Sequence, residues 1–94
     1  MTAAELAAAS VLPSGLSPEA QSLWHAKHGN WEAAHNIAQD IHTPLGSWIH
    51  ALLHVIEGDQ WNADYWFSRA GKPSRKSAEI DPLWDEIAGV VLRN

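Results

Sequence analysis

The sequence predicts an all-α fold: two antiparallel helical hairpins stacked on one another and closed by a C-terminal capping helix. Three observations carry this. The stretches HGNWEAAHNIAQDI (residues 28–41) and EGDQWNADYWFSRAG (residues 57–71) repeat one pattern 29 positions apart, with Gly29 aligned on Gly58, Asn30 on Asp59 and Ala34 on Ala63. A glycine followed by a short polar cap residue ends one helix and opens an antiparallel one, and internal repetition of such units builds a stack. Apolar residues recur with helical spacing, and no segment alternates with the period of two that a strand requires.

The elements follow in order. Thr2 with Glu5 forms a capping box for a short alanine-rich helix over residues 3–10, broken by Pro13, Ser14 and Gly15. Residues 1–16 are therefore expected to be an arm, loosely held unless it packs on the remainder. Ser17-Pro18-Glu19 starts the first helix of the domain, with a cap, a proline at the first helical position and an acid in the first turn. That helix runs to about His28. Asn30 caps the second, over residues 31–41, where Trp31, Ala34, Ala38 and Ile41 share a face opposite Glu32, Asn36 and Asp40.

Thr43-Pro44-Leu45-Gly46 reads as a turn, giving hairpins over 17–42 and 46–71. The third helix, residues 47–57, is the most apolar: Trp48, Ile49, Leu52, Leu53, Val55 and Ile56 leave only a strip holding His50, His54 and Glu57. Asp59 caps the fourth, residues 60–70, with Ala63, Trp66, Phe67 and Ala70 facing inward and Trp61 and Tyr65 forming a second stripe. Residues 71–80 read as a linker. Asp81-Pro82 opens the last helix, to residue 93, whose apolar face is Leu83, Trp84, Ile87, Val90 and Val91. Residues 17–94 thus form a single domain.

Composition excludes several function classes. A chain of 94 residues with 46% apolar content supports one core. A net charge of −5 argues against nucleic acid and anionic membrane surfaces as partners. The one basic cluster, Arg69, Lys72, Arg75 and Lys76, reads as a solvated loop. There is no cysteine, which removes disulfides, zinc knuckles and thiol chemistry. No apolar run approaches a membrane span, and the N-terminal stretch carries Glu5 and lacks a basic region, so a cytoplasmic location is expected. No nucleophile motif or glycine-rich phosphate loop is present, which points away from an enzyme.

The second hairpin resembles a tetratricopeptide repeat. Ala51, Ala63 and Ala70 fall on that family's small-residue sites and Phe67 on its large apolar one. In the first hairpin Ala34 and the Gly29 turn fit, while Ser22 stands at the first small site and Ala38 at the large one. The resemblance covers residues 17–73, with a repeat shorter than the family's. LWHAKHGNWEAAHNIAQDI and GSWIHALLHVIEGDQWNADYWFSRAGKP are also similar to a group of short bacterial proteins of unknown function. The tetratricopeptide resemblance implies protein or peptide binding in a groove lined by the first helix of each hairpin. Here those helices offer Trp24, His25, His28, Trp48, His50 and His54, with Lys27 alone where the family's carboxylate-gripping members carry several polar residues.

Six histidines and six tryptophans are the unusual feature of the composition. His50 and His54 lie one helical turn apart with Glu57 on the same strip, a spacing that lets both imidazoles reach one ion. His25 and His28 form a second pair; side by side, the two pairs and Glu57 would surround one space. The plainer reading makes His50, His54 and Glu57 the solvent strip of their helix, and HALLH lacks the glutamate of the zinc-peptidase motif. The expected function is a non-catalytic module binding a protein, a peptide or its own second copy through Trp24, His25, His28, Trp48, His50 and His54, with Trp61 and Tyr65 as a further contact. No cofactor is required. The alternative is a small-molecule or metal-binding protein, or an enzyme, that uses His25, His28, His50, His54 and Glu57, with any divalent ion on His50, His54 and Glu57.

Overall fold

The computed structural model describes residues 1–93. Over these residues the chain is all-α: α1 (Ala3–Ala8), α2 (Pro18–Lys27), α3 (Trp31–Ala38), α4 (Pro44–Glu57), α5 (Gln60–Ala70), a 3-10 turn (Ser77–Glu79) and α6 (Ile80–Arg93). None of these helices is long and apolar enough to cross a membrane.

The repeat is visible in the turns. Gly29 has φ +79° and Gly58 φ +85°, left-handed values that side-chain-bearing residues rarely adopt. The amide after each closes the preceding helix, Asn30 N donating to His25 O and Asp59 N to His54 O, both at 2.9 Å. The same two residues then cap the next helix. Asn30 Oδ1 accepts from Ala33 N and Asp59 Oδ1 from Asn62 N, each at 3.2 Å. Two residues therefore both reverse the chain and satisfy orphan amides, and α2 pairs with α3 as α4 pairs with α5.

Small residues let the pairs close. Ser22, Ala34, Ala38, Ala51 and Ala63 are buried, and the Ser22 hydroxyl donates to Ala34 O at 2.8 Å across the first hairpin. The second hairpin stacks on the first through α4, which packs against both α2 and α3. Its residues Ile49, Leu52 and Leu53 join Leu23, Phe67, Leu83 and Ile87 in the core.

Four boundaries differ from the sequence reading, the first being that of α1, which ends at Ala8 rather than at residue 10. α4 starts at Pro44, because Thr43 is a cap whose Oγ1 accepts from Gly46 N at 3.0 Å; the expected turn is the first turn of the helix. α3 ends at Ala38, and Ile41 lies past it. There Ile41 packs so closely on α4 that a Cβ at Gly46 would run into its carbonyl oxygen and side chain. Finally, α6 begins at Ile80, led in by a 3-10 turn within the expected linker. Arg75 stabilises that segment, donating to Glu79 and Glu86.

α6 settles on α2 and α4. Trp84 is buried there and its indole Nε1 donates to Leu23 O at 2.8 Å. The Lys27 ammonium lies 4.6 Å from the Trp84 ring centroid. The N-terminal arm is packed: Leu6 is fully buried and Trp24 Nε1 donates to Ala9 O at 3.0 Å.

Candidate functional site

Three helices converge on a cluster of imidazoles and indoles. α4 brings His50 and His54, one turn apart. α3 brings Trp31 and His35 with the same spacing, and α5 brings Trp66. The Trp31 indole donates to Leu53 O at 2.6 Å, which holds α3 on α4 at this level. His50 and His54 are only 6% and 8% exposed, so neither belongs to a solvent strip; the neighbouring helices cover both.

The rings are ordered by stacking. Trp66 lies flat on His50, with centroids 3.9 Å apart and planes 13° from parallel. His54 stacks behind it at 4.9 Å. Trp31 lies flat on His35 at 4.7 Å, and His35 meets His50 edge-on at 4.6 Å. His35 Nε2 and His50 Nε2 are 3.0 Å apart, and His54 Nδ1 is 2.5 Å from Glu57 Oε1. Burial pushes the His50 imidazole down to about 4, helped by repulsion from His35 and His54. His35 is also lowered, by burial and then by His54, against the opposing pull of Glu57. A neutral imidazole is the form that hydrogen-bonds through one nitrogen and offers a lone pair at the other.

Among the described residues, ligand atoms close enough to share a cation occur in two groups, His35–His50–His54 and His54–Glu57–Asp59, each within 4.8 Å. Neither includes His25 or His28. Those two surround Trp24 instead, His28 stacked on it at 4.3 Å and His25 edge-on at 5.3 Å. Trp48 is buried apart from the cluster, with the Lys72 ammonium 4.4 Å from its centroid. Trp61 and Tyr65 are exposed on α5, at 83% and 51%.

His35 is the residue that sequence reading passed over. At about 100° per residue it falls roughly 40° from Trp31, on the apolar face of its helix. A histidine on such a face, one turn from a tryptophan, was the available signal.

Beside the cluster a cleft of about 540 Å³ opens between the α3–α4 connection and α5. His50 and Trp66 form one wall; Ile41, His42, Ser47 and Arg69 are among its other linings. The Arg69 guanidinium lies 5.6 Å from the Trp66 centroid and donates to the Tyr65 hydroxyl at 3.2 Å. No protein-family model, curated protein or solved structure matches the chain.

Proposed function

We propose that the protein is a tetratricopeptide-like, non-catalytic binding module of the cytoplasm that takes the C-terminal end of a peptide in the cleft beside the imidazole–indole wall. The cleft itself carries this reading. Its volume of about 540 Å³ lies in the range of ligand pockets, about 300–1,000 Å³, and its lining combines an aromatic wall with the Arg69 guanidinium, whose side-chain hydrogen-bond partner among the described residues is the Tyr65 hydroxyl. Arg69 suits a terminal carboxylate, for which a planar fork of donors is well matched. Trp66 and Ile41 suit the last side chain, and His42 and Ser47 add polar groups for backbone. The groove expected between α2 and α4 is not offered for this purpose, because α6 lies on both helices with Trp84 hydrogen-bonded to Leu23. The pairing of α2 with α3 and of α4 with α5 supports the repeat-like reading.

The test is a titration of the full chain with short peptides ending in a free carboxylate or in an amide, followed by the NMR signals of Trp66 and Arg69. Acid peptides are expected to shift both signals saturably. Arg69→Gln is expected to weaken binding roughly tenfold, the equivalent of one charge-assisted hydrogen bond. Equal behaviour of acid and amide, or indifference to Arg69→Gln, refutes the reading.

A further inference from the structure

The imidazole cluster has a property that a peptide-binding wall does not need. Three histidines from two helices place their ligand nitrogens within 4.8 Å of one another, and the nearest two nitrogens are 3.0 Å apart. With zinc–nitrogen bonds of about 2.0–2.1 Å, two ligands at adjacent corners of a tetrahedron are about 3.4 Å apart. His35 and His50 thus stand close to ligand separation, and His54 places a ring nitrogen within 4.8 Å of both.

The surroundings prepare the rings for coordination. Glu57 engages His54 Nδ1, so Nε2 is the nitrogen His54 has to offer. A carboxylate behind a histidine is the arrangement that orients metal-bound imidazoles and raises their basicity. Trp66 and Trp31 hold His50 and His35 flat against them, so little ring entropy is left to lose on binding. Glu57 and Asp59, at the more exposed end, share His54 in the second group of ligand atoms and supply negative charge where a cation would approach. A hydrogen bond between His35 and His50 accounts for one short distance; it accounts for neither the third imidazole nor the carboxylate behind it.

We propose that His35, His50 and His54 bind one divalent transition-metal ion of the zinc class, with Glu57 as the positioning residue for His54. Three imidazoles suit zinc, nickel and copper better than magnesium or calcium, which prefer oxygen. Three protein ligands also leave a coordination position for water or an external group. The proposal is independent of peptide binding: it shares His50 with the cleft and does not involve Arg69.

Calorimetric titration of the full chain with zinc chloride, and visible spectroscopy with cobalt(II), test it. The expected result is one ion per chain at micromolar affinity or tighter, with the cobalt spectrum of a four-coordinate site. His35 is partly exposed, so His35→Ala should fold, and it is expected to abolish saturable binding. Glu57→Gln, at an exposed position, should weaken binding about 10- to 100-fold, as loss of such partners typically does, and it keeps the test valid if His35→Ala fails to fold. The His25→Ala/His28→Ala double variant should bind like the parent. Absence of saturable binding in the parent overturns the proposal. So does binding that survives in folded His35→Ala, is unchanged in Glu57→Gln, or is lost in the His25/His28 double variant.

Discussion

A buried histidine is an unusual choice for the middle of an apolar helix, and His50 shows what it entails. Its ring faces Trp66 on α5, His35 on α3, and His54 on its own helix, with Glu57 beyond. None of the rings in direct contact with it carries negative charge. Protonation is therefore disfavoured in the folded chain, to a value of about 4, while the unfolded chain titrates near 6.5. Between those values the unfolded state binds more protons, so stability is full above about pH 6.5 and declines as the pH falls towards 4. The loss reaches at most about 3 kcal/mol. Urea denaturation across this range, with a chelator present, should show the decline, and His50→Phe should flatten most of it. His35, lowered in the same sense, accounts for a remaining slope. His50 and His54 were recognisable in sequence from their spacing alone. Their true companion was not, because spacing describes one helix and His35 sits on another.

The helices were legible because their ends are written locally. Thr2, Ser17, Asn30, Thr43 and Asp59 each accept a hydrogen bond from a backbone amide in the first turn of the following helix, and capping chemistry depends on a few consecutive residues. Thr43 was the instructive case. Followed by Pro44 and Gly46 it resembles a turn, yet Pro44 fits the first helical turn and Gly46 is needed for Ile41 to approach. The role of α6 could be read only halfway. Its apolar face of Leu83, Trp84, Ile87 and Val91 announces burial, but a helical face does not specify which surface it covers. It covers α2 and α4, and Trp84 anchors it. Trp84→Ala should cost about 3–5 kcal/mol in chemical denaturation, the usual result of removing a buried tryptophan. Trp84→Phe should cost less, losing chiefly the hydrogen bond to Leu23.

At the scale of the molecule, residues 1–16 belong to the same packed body as the hairpins. Leu6 is fully buried, α1 packs on α6 and α2, and the Trp24 indole reaches back to Ala9. Leu6→Ala should therefore lower the stability of the whole chain by about 2–5 kcal/mol. Circular dichroism and tryptophan fluorescence should still report one coincident transition; an arm that melts ahead of the remainder would separate the two signals. Small domains have little core to spare, and a single leucine from a short helix is a substantial share of it.

The all-α class, the paired hairpins and most helix starts follow from the order of residues along the chain, because periodicity, capping and glycine turns act over a few neighbouring positions. The placement of α6 over α2 and α4, the separation of His25 and His28 from the other imidazoles, and the meeting of His35 with His50 and His54 follow from packing. Those contacts join residues 15 to 61 positions apart, and they are set by which apolar faces bury one another most completely, a property of surfaces that exist only once the helices have formed.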